Sequence, residues 1–179
     1  ETFTAACVQI TSLPDPAATM DAVAPLIREA RAAGADFITT PEVVSMLGPR
    51  KSVLENAQTM QAHDGIKAFQ ALAKETGAWL LAGSMVVKLD EEKLANRSML
   101  FAPDGRLVTT YDKIHMFDVD LENGESYRES STYQPGDKAV SAGLPWGRLG
   151  MTICYDMRFP YLYRDLAHAG ADFLTVPSA

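Results

Sequence analysis

Two stretches of this 179-residue chain nearly repeat one another: ARAAGADFITTPE at residues 30–42 and LAHAGADFLTVPS at residues 166–178. Gly34 and Gly170 stand 136 positions apart, and six of the eight residues running from each glycine to the next proline are identical. Each stretch reads as the end of a helix, a glycine turn, and a short apolar strand halted by proline. An internal duplication would produce such an echo, and so would the residue preferences that helix, turn and buried strand share. On either origin the chain is of the α/β class, with two similar αβ layers, as in a sandwich of two sheets with helices outside.

Working outward, residues 2–10 are apolar and β-branched enough for a buried strand, with Cys7 in its core. SLPDP then breaks the strand and offers Asp15 as a helix cap and Pro16 as the first helical residue. The helix should run to about Ala33, placing Val23, Leu26, Ile27 and Ala30 on one face, with a kink or restart at Pro25. DFITTP at 36–41 is the next strand, completing a strand–helix–strand unit of the parallel kind. Ile66, Phe69, Leu72 and Ala73 give an amphipathic helix over 64–75, closed by Gly77 and followed by the strand WLLAGSMVV at 79–87. NRSMLFA and RLVTTY flank the turn signal PDG and read as an antiparallel hairpin. Residues 112–138 read as irregular and polar. The strand RLGMTIC at 148–154, a helix from about Phe159 and Pro160, and the strand DFLTVP at 172–177 follow. Residues 1–179 form one domain, and a domain seldom ends on an uncovered strand.

Composition narrows the function. The chain is 47% hydrophobic and 22% charged, with no apolar run near the ~20 residues that span a bilayer. Sixteen Lys and Arg against 23 Asp and Glu give a net charge of −7, a poor footprint for nucleic acid. The first ten residues lack the pattern of a secretory signal, and two cysteines, Cys7 and Cys154, make neither a disulfide framework nor a CxxC pair. No metal set is evident, and a reducing, cytoplasmic setting is the expectation. The loop DVDLENGESYRE at 118–129 places acids at positions 1, 3, 5 and 12 as a calcium loop does, but its glycine falls at position 7 rather than 6. It reads as a solvated acidic loop.

Chemistry concentrates at strand exits, where open α/β sheets gather ligands. Cys154 ends one strand, Glu42 follows another, and Lys113 follows the hairpin. A thiolate that attacks, a carboxylate that carries protons and an ammonium that holds an oxyanion suffice for acyl chemistry. A free thiol is only ~3% ionised at pH 7, so Lys113 and the amino end of the helix near Phe159 are the expected activators of Cys154. Packing roles compete at each position: Cys154 as a small core residue, Glu42 as a cap, Lys113 as a surface charge, and Asp156 with Arg158 as a structural pair. A Cys-His hydrolase using His115 is a further alternative.

Four motifs in order decide among these. TTPE with Glu42, YDKIHMFD with Lys113, ESSTYQPGD with Glu129, and GMTICYDMRFP with Cys154 together resemble the nitrilase superfamily of carbon–nitrogen hydrolases. CYDMRFP is particularly similar to the Nit branch, amidases acting on deaminated glutathione or on ω-amides of keto acids. The resemblance implies an α-β-β-α sandwich that dimerises, and an amidase that needs no cofactor. Cys154 would be the nucleophile, Glu42 the general base and acid, Lys113 with the Tyr155 backbone N–H the oxyanion site, and Glu129 the second carboxylate. Arg158 would bind a carboxylate of a small amide substrate. A nitrilase or carbamoylase activity, or an association module keeping the fold without the chemistry, are the alternatives. Three departures from the family pattern stand out. Asp112 precedes Lys113 where Arg is common, the Pro-Gly usual after Phe-Asp is missing, and family members continue beyond the equivalent of Ala179, so the C-terminal part of the fold is expected to be absent.

Overall fold

The computed structural model describes residues 2–179. Its first unit is β1 (Ala5–Cys7), α1 (Pro16–Ala32) and β2 (Phe37–Thr39), with β1 and β2 parallel. Asp15 caps α1 as its spacing predicts, its carboxylate accepting from the Ala17 N–H at 2.9 Å, and Pro16 opens the helix. Pro25 does not interrupt α1. It lies on the exposed side of the helix, as does Asp21, whose carbonyl loses its helical donor and is left to water.

A short helix α2 (Arg50–Asn56) precedes α3 (Asp64–Thr76), which Gly77 closes in the left-handed conformation. The long strand β3 (Trp79–Lys88) pairs parallel with β2 and antiparallel with β4 (Leu94–Phe101), and β4 pairs with β5 (Leu107–Asp112) in the expected hairpin. The segment read as irregular contains a small hairpin, β6 (Asp118–Asp120) and β7 (Ser126–Arg128), and a 3-10 turn over Glu129–Ser131. β8 (Val140–Leu144), invisible to the hydrophobic pattern, pairs antiparallel with β9 (Gly147–Met151). A second 3-10 turn (Cys154–Arg158), α4 (Pro160–His168) and β10 (Phe173–Thr175), parallel to β9, complete the described residues.

Strand alternation sorts the core into layers. Ile38, Leu80, Ala82 and Met99 face α1 and α3, meeting Val23, Ile27, Phe69 and Leu72. Phe37, Leu81, Leu100 and Tyr111 point the other way and pack against Leu149 and Met151 of the second sheet. α4 covers the far side of that sheet, where a Cβ on Gly150 would come within 3.2 Å of Leu166. The order is helices, sheet β1-β2-β3-β4-β5, sheet β10-β9-β8, helix: the α-β-β-α sandwich expected. Each fully buried Leu or Phe contributes roughly 1.5–3 kcal/mol to holding these layers together.

One core assignment fails. Cys7 is exposed, because β1 is the outer strand of its sheet and this side chain faces an open cleft beside Thr39, Pro41, Thr175 and Val176. No helix among the described residues is long and apolar enough to cross a membrane.

Candidate active site

A bulge in β3 brings the first strand exit into place. The β3–β4 register shifts between Ala82 and Met85, and the chain after β2 threads along the gap. Gly83 donates its N–H to Thr40 Oγ1 (3.1 Å), Ser84 donates to the Pro41 carbonyl (3.2 Å), and Val43 donates to Ser84 Oγ (2.7 Å). Gly83 has no room for a side chain: a Cβ there would lie 2.0 Å from the Thr40 carbonyl oxygen and 2.7 Å from Pro177. The residue that this threading holds between Pro41 and Val43 is Glu42, buried at 6% exposure.

The second exit is equally constrained. Thr152 Oγ1 donates to the Thr175 carbonyl at 2.7 Å and the Cys154 N–H donates to the Pro177 carbonyl at 2.9 Å, tying the end of β9 to the end of β10. Cys154 then turns with φ +46°, and Val43 has φ +48°; they are the only non-glycine residues in this region of conformational space among the described residues. Left-handed backbone at a β-branched or bulky residue is uncommon and persists where the surroundings impose it.

Lys113, 2% exposed, leaves β5 between these exits. Its Nζ donates to Glu42 Oε1 (3.0 Å) and to both oxygens of Glu129 (3.0 and 2.9 Å). Glu129 also accepts the Phe117 N–H at 2.7 Å, and Glu42 Oε2 accepts the Ala179 N–H at 3.1 Å. Burial alone would lower the lysine's pKa, but the two carboxylates outweigh it and hold the ammonium above its ordinary value. Asp112, the residue before this lysine, reaches across to the neighbouring strand and forms a bidentate pair with Arg97 (2.5 and 2.7 Å).

Glu42, Asn96, Lys113, Glu129, Tyr133 and Cys154 all border one cavity of about 540 Å³. Burial, then the Glu42 carboxylate, push the Cys154 thiol above its ordinary value, and Lys113 offsets part of that rise. Lys113 thus acts in the expected direction, and burial with Glu42 outweighs it. The 3-10 turn over Cys154–Arg158 separates Cys154 from the amino end of α4 in the chain.

The remaining assignments divide. The Tyr155 N–H has no acceptor among the described residues, so it remains available to a ligand, while its ring packs edge-on against Phe117 (5.1 Å) and Phe159 (5.4 Å). Arg158 is exposed and does not border the cavity; the arginine that does is Arg128, whose guanidinium is paired with Asp120. Asp156 does not pair with Arg158 either. It is fully buried and accepts from the Tyr111 hydroxyl (2.6 Å), the Ile153 N–H (2.9 Å) and the His115 N–H (3.0 Å), with His115 Nδ1 at 2.7 Å. His115 stacks on Phe159 at 3.6 Å, so it braces the turn rather than facing the sulfur as a base. The Asp156 hub thereby fastens the chain around Lys113 to the turn that carries Cys154.

Sequence reasoning missed Asn96. Its Nδ2 donates to Glu42 Oε1 (2.8 Å) and Glu129 Oε1 (3.3 Å), bridging the two carboxylates, while its buried Oδ1 has no partner. Asn in a strand rich in apolar residues was the available signal, since a buried amide requires polar company.

A sandwich of this kind, with a thiol, two carboxylates and an ammonium at the strand exits, defines a hydrolase-type site. Residues 4–179 match the carbon-nitrogen hydrolase family, and the chain belongs to it. It is 40% identical over 151 residues to a deaminated glutathione amidase of Yersinia enterocolitica, covering 82% of this chain and 52% of that protein. It is 38% identical over 181 residues to the deaminated glutathione amidase of Synechocystis, covering 99% of this chain and 66% of that one. The chain thus spans between half and two thirds of the length of these relatives. The C. elegans NitFhit protein superposes with a TM-score of 0.88 at 27% identity, over 99% of this chain and 44% of that one.

Proposed function

We propose that this site is a Nit-type amidase site that cleaves the C–N bond of a small, carboxylate-bearing amide through a Cys154 thioester. What carries the reading is the placing of the Cys154 thiol on the same cavity as a buried carboxylate, Glu42, that has the Lys113 ammonium on one oxygen at 3.0 Å. Glu42 takes the Cys154 proton as Sγ bonds to the amide carbon, and the oxygen that becomes negative is met by Lys113 Nζ and the Tyr155 N–H. Glu42 passes the proton to the leaving nitrogen, the C–N bond breaks, and ammonia departs. Water then attacks the thioester, giving a proton to Glu42 and hydroxide to the acyl carbon, and the proton returns to the sulfur as the acid leaves. Glu129 fixes Lys113 so that the ammonium lies where charge develops. The names of the relatives support an amide rather than a nitrile as substrate.

The test is ammonia release from a panel of ω-amides and glutathione-like amides, with Cys154→Ala as control. Turnover by the wild type and its loss by at least about 10³-fold in the variant are expected. Folded wild-type protein that releases no ammonia from any member would overturn the reading.

A further inference from the structure

Tyr133 follows the Glu129–Ser131 turn, and its N–H donates to the Glu129 carbonyl at 2.9 Å. Its ring packs into an apolar cluster with Val43, Met46, Val53, Val86 and Leu94, which fixes it in position. The other substantially buried phenols give their hydroxyls to protein partners: Tyr111 to Asp156 at 2.6 Å, and Tyr163 to Thr152 at 3.1 Å. The Tyr133 hydroxyl has no hydrogen-bond partner among the described residues. Its oxygen is not sealed in either, and the residue borders the cavity that holds Cys154 and Lys113. Burial, with the nearby charges of Glu129 and then Glu42, pushes its pKa upward, so it stays a neutral O–H donor under all ordinary conditions.

A rigidly held donor without a protein acceptor, on a residue that borders the cavity of Cys154 and Lys113, is provision for a ligand acceptor. We infer that the Tyr133 hydroxyl donates a hydrogen bond to an oxygen of the bound substrate, making Tyr133 a further substrate-contacting residue. The inference rests on the amidase reading. It also accounts for the division of donors in the cavity. Lys113 Nζ and Asn96 Nδ2 are both engaged by the two carboxylates, whereas the Tyr133 hydroxyl on the same cavity has no protein acceptor.

Tyr133→Phe keeps the ring in its cluster and removes only the hydroxyl. The experiment measures kcat/KM for a plain aliphatic amide and for an ω-amide ending in a carboxylate, together with the melting temperature. A fall of roughly 2- to 12-fold in kcat/KM for either substrate, at unchanged melting temperature, is the expected result. A fall on both places the contact at the amide oxygen, and a fall on the carboxylate-bearing amide alone places it at the far end; both support the inference. Unchanged kcat/KM on both substrates overturns it, as does a loss of activity matched by a loss of melting temperature, which would make the hydroxyl structural. Absence of turnover in the folded wild type overturns the amidase reading itself, and is seen before any substitution is made.

Discussion

The units β1-α1-β2 and β9-α4-β10 close with the same hydrogen bonds. Ala35 N–H reaches the Ala30 carbonyl at 3.1 Å and Ala171 N–H the Leu166 carbonyl at 3.0 Å, and the glycines between adopt φ +95° and +83°. Asp36 accepts the Thr4 N–H at 3.0 Å as Asp172 accepts the Arg148 N–H at 2.7 Å, and both aspartate N–H groups return a bond of 2.8 Å to the same residues. The residues that differ decide what each unit does. In the first, β2 lies between β1 and β3, and its exit continues into buried Glu42. In the second, β10 is an outer strand, and the exit of its neighbour β9 carries Cys154. Matching local sequence produced matching turns, whereas burial and chemistry came from neighbours distant in the chain.

The contrast is broken most severely at the group standing between the two exits. Lys113→Met should reduce kcat by about 10²- to 10³-fold. It should also destabilise the fold by about 3–5 kcal/mol, since Glu42 and Glu129 would face each other uncompensated. Because Lys113 lowers the thiol pKa that burial and Glu42 raise, its loss should move the pH profile of Cys154 alkylation to still higher pH; a shift to lower pH would refute the assignment. That measurement requires a Cys7→Ser background, as Cys7 is exposed and competes for reagent.

Next comes Gly83, against which Thr40, Pro41 and Pro177 all press. Gly83→Ala should cost roughly 4 kcal/mol, read by denaturant unfolding, because the obstructing atoms include backbone on the Glu42 side and a proline ring on the Cys154 side. The smallest effect tests the likeness directly. A methyl group added to Gly34 would have nothing within 4 Å and one added to Gly170 only Arg148 Nε at 4.0 Å, so Ala at either position meets strain without collision. Each substitution should cost about 1 kcal/mol, and unequal losses would show that the two turns are alike in outline only.

How much was legible follows from the same contrast. The Asp15 cap, the amphipathic faces of α1 and α3 and the PDG hairpin rest on residues a few positions apart, where periodicity speaks directly. Glu42, Lys113, Glu129 and Cys154 were legible through motifs, and they do border one cavity. Asn96, Ser84 and the Asp156 hub were not, since each holds at least one partner between 41 and 54 positions away, a juxtaposition that no local pattern encodes. Cys7 looked like core because alanine neighbours resemble a buried strand; its position at the sheet margin depends on where other strands lie. β8 escaped because Gly143 and a half-exposed pattern dilute its alternation.

The left-handed turns at Val43 and Cys154 bear on any attempt to make this protein hardier. Each is a place where the ground state stores strain that a glycine would release, so a search for more heat-resistant variants will be drawn to both. Substitution at Cys154 removes the sulfur itself, and relaxation at Val43 frees the chain that aims the preceding carboxylate. On the amidase reading, thermal robustness and catalytic competence compete for the same two backbone angles, and gains in one should be sought far from them, in the α1 and α3 surfaces or the outer loops.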